Sequence, residues 1–243
     1  MHLLVVNPNT TASMTEKIGA AARSVAAAGT EIEAVNPAMG PVSIEGFYDE
    51  AFCVPGLITE ILAGEKRGAQ AVVVACFDDP GIDAARAAAR IPVIGICEAA
   101  MRMAGFLGHR FTIVTTLPVS LPAMEGLIQR YGMQGRGRAR AAGVPVLALE
   151  DRASGAVEKV REEIRRAIAE DGADCILLGC AGMADLARDL TAELGLPVID
   201  GVAAAVKLAE GLVGLGLCTS KVGGYARPGA KAYSGMLAGF APG

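Results

Sequence analysis

Two stretches of this chain are nearly the same strand. "GAQAVVVAC" runs from Gly68 to Cys76, and "GADCILLGC" runs from Gly172 to Cys180. Each opens on Gly-Ala, passes a polar residue into an apolar run and stops on a cysteine. A second pair keeps the register: "IPVIGICEAA" at 91–100 matches "LPVIDGVAAA" at 196–205. The interval between Pro92 and Pro197 differs by a single residue from that between the cysteines. The opening "LLVVNPN" has a counterpart in "FTIVTTL" at 111–117. Short Val/Ile/Leu runs alternate with longer Ala-rich segments of helical period, the pattern of βα units around a parallel sheet.

The pattern predicts strands near 2–6, 31–35, 71–75, 92–96, 110–115, 144–149, 175–178 and 197–199. Helices are expected over 10–28, 50–67, 80–90, 98–107, 118–131, 154–170, 183–195 and 202–214, with Asn9 or Thr10 opening the first and Ser154 the sixth. The expected fold is α/β, with two similar lobes, each a parallel sheet flanked by helices, related by a pseudo-twofold axis. One lobe takes residues 1–97 plus 210–243 and the other 98–209. Ligands of open parallel sheets sit outside the carboxyl ends of the strands. Cys76 and Cys180 occupy those ends, so the pseudo-twofold sets them on opposite sides of one cleft between the lobes, where the active site is expected.

Composition narrows the partners. Apolar residues are 52% of the 243 and charged ones 20%, enough for a sizeable core. A net charge of −4 argues against nucleic acid or an anionic membrane as partner. The basic run "RYGMQGRGRAR" (130–140) reads as a Gly-rich solvated loop. No apolar stretch approaches the ~20 residues of a membrane span. "MHLLVVNPNT" lacks the basic region of a signal peptide, so a cytoplasmic location is expected, with the six cysteines reduced. Cys53, Cys97, Cys175 and Cys218 then read as small hydrophobes of the core.

The matched pair reads differently. Two thiols flanking a planar carbon can racemise it, one thiolate removing a proton from one face while the opposite thiol returns one to the other. A reference pKa of about 8.5 keeps both forms accessible. A helix starting just after each cysteine is expected to lower its pKa through free N–H groups. Zinc finds no C-x-x-C or H-E-x-x-H, and only His2 and His109 are present. No dinucleotide, Walker A or G-x-S-x-G motif occurs either. Around the thiols, Asn9 or Thr10 either caps a helix or binds ligand, alongside Thr115 and Thr116. Asp78 and Asp79 read as caps of the helix that follows them. Of Phe47, Tyr48 and Phe52, two are expected in the core and one at the pocket wall.

Together "NPNT", "PVSIEGFYDEAF", "ACFDDPG", "PVIGICEAA", "RFTIVTTLP", "LLGCAGMADL" and "PVIDGVAAAVKLAE" resemble the hydantoin racemases of the aspartate/glutamate racemase superfamily, a branch that includes allantoin racemases. The resemblance runs from about residue 2 to 233. It implies a cofactor-independent racemase of 5-monosubstituted hydantoins with Cys76 and Cys180 as the two bases and no metal. Substrate contacts implied by it fall on Asn9, Ser43, Ile44, Phe77, Thr115 and Thr116, with backbone near Ala181 and Gly182. It also implies a homo-oligomer. The superfamily's amino-acid racemases carry C-N-T and G-C-T-H; Phe77 and Ala181-Gly182 replace those polar residues here, which counts against a free α-amino acid. Allantoin is the nearest alternative substrate, followed by maleate-isomerase-like or decarboxylase-like chemistry and a non-catalytic ligand-binding module.

Overall fold

The computed structural model describes residues 1–242, with their side chains except at Arg152 and Asp185. The first half builds β1 (His2–Val6), α1 (Ala12–Val25), β2 (Glu31–Val35), α2 (Phe47–Lys66), β3 (Ala71–Val74), α3 (Ile82–Ala88), β4 (Val93–Gly95) and α4 (Ile96–Leu107). The second builds β5 (Phe111–Thr115), α5 (Leu121–Arg130), β6 (Gly137–Ala141), α6 (Ala156–Arg166), β7 (Cys175–Leu178), α7 (Ala187–Leu194), β8 (Val198–Asp200) and α8 (Gly201–Gly214). The strands form two four-stranded parallel sheets with orders β2-β1-β3-β4 and β6-β5-β7-β8. The order is the same in both, so the duplication read in the sequence is a duplication of topology.

Central strands β1, β3, β5 and β7 are apolar because both their faces are covered. Alternate side chains divide between two cores. Leu3, Val5 and Val73 join Ile113 and Leu177 of the other sheet in a core that spans both halves. Leu4, Val6, Val72 and Val74 face the outer helix α2 and its Leu57 and Ile61. Each such Leu or Val contributes about 1.5–3 kcal/mol when fully buried. Helices α4 and α8, equivalent by sequence, pack on each other at the seam. A Cβ on Gly201 would lie 2.7 Å from the Ile96 carbonyl, so glycine permits that approach.

Several expectations fail for identifiable reasons. The basic run is a loop only in part: 131–136 is turn, while 137–140 belong to edge strand β6. A half-exposed edge needs no apolar run, and charge there discourages pairing with another chain. Arg140 is held by Asp171, Glu163 and Glu170 at 2.6, 3.0 and 2.7 Å. The strand expected over 144–149 is instead a loop entering a 3-10 turn at Val146–Glu150. Its Val144, Val146 and Leu149 are buried all the same, which explains the apolar pattern. Phe47, Tyr48 and Phe52 are all exposed, at 62%, 77% and 59%. Helix α2 buries the stripe Cys53, Leu57 and Ile61, and the aromatics lie off it. Cys218 is likewise exposed rather than in the core.

Candidate active site

The carboxyl ends of the four central strands converge. Cys76 and Cys180 each stand two residues beyond their strand, β3 and β7. Asn7 and Asn9 follow β1, while Thr115 ends β5 and Thr116 follows it. All six line one cavity, together with Met14, Ile44, Ala75, Phe77, Asp78, Ser120, Val146, Gly179 and Ala181. Its free volume of about 30 Å³ is room for roughly one water. A larger hollow of about 420 Å³ lies along β6, away from both cysteines, and is lined by Arg138, Arg140 and Asp171.

Of the residues singled out from sequence, Ser43 and Gly182 are outside this lining; Gly182 contributes through its backbone instead. Its N–H bonds the Cys180 sulfur, as the N–H of Asp78 bonds that of Cys76. Each thiol thus takes a bond from the residue two places on. The expected acidification does not follow. Burial outweighs the N–H groups and pushes Cys180 up to about 11. Cys76 is raised well above its usual range by burial, with Asp78 and Cys53 adding to it. No α-helix begins directly after Cys76; a turn through Asp79 and Gly81 intervenes. A 3-10 turn, Ala181–Leu186, follows Cys180.

The polar walls are held from behind. Asn7 Nδ2 donates to Asn9 Oδ1 at 2.9 Å and to Thr15 Oγ1 at 3.0 Å. Asn9 Oδ1 also accepts from the Thr11 N–H at 2.9 Å, so the cap position of α1 is Thr11 rather than Asn9 or Thr10. Its Nδ2 faces the Met14 sulfur at 3.1 Å, a weak acceptor that a ligand oxygen can displace. Thr115 Oγ1 donates to the Gly179 carbonyl at 3.2 Å, which leaves its lone pairs for a ligand N–H. Phe77 is 2% exposed and belongs both to the shared core and to the cavity wall.

The acids do not cap α3 as expected. Asp79, at φ 45°, turns to α4 and accepts from the N–H groups of Cys97 and Glu98 at 3.1 and 2.9 Å. Tyr131 donates to the same carboxyl at 2.7 Å. Burial raises Asp79 to about 7 against these bonds. Asp78 instead faces Glu50 of α2, whose charge helps to raise it. Asn7 was not singled out from the sequence, although the repeat aligns it with Thr115. Met14, Ser120 and Val146 carried no signal, because each reaches the cavity from a neighbouring helix or turn. Among the described residues, no group of three or more His, Cys, Asp and Glu is arranged to hold a metal ion.

A model of the Asp/Glu/Hydantoin racemase family matches residues 3–209. A hydantoin racemase of Rhizobium meliloti is 51% identical over 236 residues, covering 97% of this chain and 98% of its own. Another, from Pseudomonas sp. (strain NS671), is 48% identical over 241 residues, with 99% and 97% covered. The solved structure of an allantoin racemase from Klebsiella pneumoniae superposes with a TM-score of 0.97 at 53% identity, over 100% of this chain and 99% of that one. Parallel sheets in duplicate, meeting at one cavity, are the frame of an isomerase of the racemase class. The chain belongs to the Asp/Glu/hydantoin racemase family.

Proposed function

We propose that the chain is a cofactor-independent racemase of 5-monosubstituted hydantoins, working by proton transfer between Cys76, Cys180 and C5 of the ring. The observation that carries this reading is the shared cavity of two thiols from equivalent strand ends. One thiolate takes the C5 proton, and the C–H electron pair moves onto the neighbouring carbonyl oxygen. The opposite thiol then protonates C5 on its other face, and the thiolate charge has changed sides. The ring's own carbonyl and nitrogen acidify C5–H, so thiols suffice where an α-amino acid would need more help. In this reading Asn9 and Thr116 donate to ring oxygens, Thr115 accepts from a ring N–H, and Phe77 and Ile44 pack against ring or substituent.

Allantoin, itself a 5-ureidohydantoin, is the second reading. It is favoured by the close superposition on a protein named allantoin racemase. Decay of optical rotation with enantiopure 5-alkylhydantoins and with enantiopure allantoin separates the two. Faster decay with allantoin selects the second reading, and no decay with either ends both. The enzyme is further read as a cytoplasmic homo-oligomer. Exposed Phe47, Tyr48 and Phe52 support association, and light scattering on the purified chain tests it. Among the described residues no helix is long and apolar enough to cross a membrane.

A further inference from the structure

Helices α2 and α6 hold the same place in the two halves, each joining the edge strand of its sheet to the strand that precedes a thiol. Their outer faces are opposite in character. Every exposed residue of α6 is charged: Glu158, Lys159, Glu162, Arg165 and Arg166. On α2 the exposed residues are Phe47, Tyr48, Ala51, Phe52, Thr59 and Leu62, followed only in the last turn by Lys66. Its inner side is apolar too, with Leu57 and Ile61 fully buried on Leu4, Val6 and Val72. A helix apolar on both sides has the composition of one buried on both. The fold of a single chain covers only the inner side.

The outer face is spaced for another helix. Tyr48, Phe52, Pro55, Thr59 and Leu62 recur at alternating intervals of four and three, the seam of a two-helix pair. Thr59 is its polar member, and its hydroxyl is already bonded to the Pro55 carbonyl at 3.0 Å. Tyr48 and Phe52 touch, with ring centroids 4.8 Å apart. Charge sets the direction of pairing: Asp49 stands in the first turn and Lys66 in the last. An antiparallel pair brings the acidic start of one helix to the basic end of the other, whereas a parallel pair sets like charges together. Area is sufficient as well. Phe47, Tyr48 and Phe52, each more than half exposed, offer roughly 600–1,000 Å² when doubled about a twofold axis. Exposed Leu62 and Met39, the latter beside Gly56, carry that toward the about 1,200–2,000 Å² of a stable interface.

We propose that α2 is a dimer interface: two copies of the chain pair their α2 helices antiparallel across a twofold axis near Pro55. The proposal deepens the homo-oligomer reading above and rests on it. A twofold contact is self-complementary. Tyr48 therefore packs on Leu62 of the partner subunit, and Ala51 lies across from Thr59 of the partner subunit. Helix α6, with its charged face, stays in solvent. The internal duplication made two equivalent helices, and only one of them is surfaced for a second copy.

Light scattering on the full chain is the first test. The wild type is expected at no less than twice the mass of the 24.7 kDa chain. Phe52→Glu/Leu62→Glu sets like charges on both sides of the axis. It should halve that mass or lower it further, raising the dissociation constant about 100-fold or more. A Lys159→Glu control on α6 keeps the wild-type mass. Ala51→Cys/Thr59→Cys, which spares the aromatics, tests the direction of pairing. Mild oxidation with copper phenanthroline should yield a covalent dimer on non-reducing gels, beyond any that exposed Cys218 gives in the wild type. An unchanged mass in the Glu variant, or no added covalent dimer from the cysteine pair, overturns the α2 interface and leaves the oligomer reading standing. A monomeric wild type overturns both and leaves the apolar face to a different protein. Should the Glu variant not fold, the cysteine pair decides.

Discussion

The helices that follow β4 and β8 are capped by the same chemistry from different places. In the second half Asp200, the last residue of β8, accepts from the N–H groups of Val202 and Ala203 at 3.0 and 2.8 Å. In the first half the equivalent residue is Gly95, and Asp79 reaches in from the β3 turn to do the work. A Cβ on Gly95 would lie 2.2 Å from Asp79 Oδ1, so the missing side chain is what admits the borrowed one. The thiol turns show the converse. Each keeps an N–H on sulfur, while the side chain at the donor position is a carboxyl in one half and absent in the other. The two copies preserve the hydrogen bonds that hold helices and sulfurs, and differ in where they leave charge.

The hardest break in this equivalence is removal of a thiol. Cys76→Ser and Cys180→Ser are each expected to lower racemisation by on the order of 10²–10⁴-fold, the usual worth of a general acid or base. In D₂O each variant should still exchange deuterium into one enantiomer, and the two should favour opposite ones, after subtraction of spontaneous exchange at C5. Near-wild-type racemisation by either variant would mean that the thiols are duplicated scaffold.

The caps come next. Gly95→Ala should cost more than about 2 kcal/mol, since it overpacks and evicts Asp79 from its cap. Asp200→Ala loses its cap, at about 1 kcal/mol. Urea midpoints measure both; equal costs would mean that Asp79 contributes no more than its counterpart.

A further effect concerns pH. Asp78 is raised to about 8 in the folded chain, against about 3.9 when exposed. Between those values the folded state holds a proton that the unfolded state has released. This contribution to stability is complete below pH 4 and is lost as pH rises to 8. Asp78→Asn should lack that slope and gain on the wild type from pH 5 to pH 8. Parallel stability curves for the two proteins would contradict the shift.

The mildest change is Phe77→Leu, opposite Ala181 in the repeat. It should alter the ratio of kcat/KM between aromatic and aliphatic 5-substituents by about tenfold or less, while the slower thiol chemistry persists. An unchanged ratio would confine Phe77 to the core.

What the sequence made legible was whatever the repeat or a buried strand imposes. The Val-rich runs at β1, β3, β5 and β7 are readable because both faces are covered, and the thiols because they recur at one position. Edge strand β6 escaped: Arg138 and Arg140 on a half-solvated strand look like a loop until Asp171 and Glu163 are seen beside them. The 144–149 run misled in the opposite sense, since burial there needs no strand. Asp79 read as a local cap, because no one-dimensional pattern reports that a glycine sixteen residues on leaves space for its carboxyl. The direction of the thiol pKa values was missed for a related reason. Proximity to N–H groups is visible in sequence, and the depth of burial that opposes it is not.

The volume between the thiols has a kinetic meaning. A space of about one water does not admit a five-membered ring. The strand ends that bear the two thiols belong to separate sheets, and the halves meet at the α4–α8 seam, so the expected way to admit the ring is to part the halves there. Because racemisation ends where it began energetically, no chemical driving force assists the departure of product. Opening of the two halves is therefore expected to slow turnover in both directions alike, and substitutions in the α4–α8 seam are expected to change kcat without touching substrate.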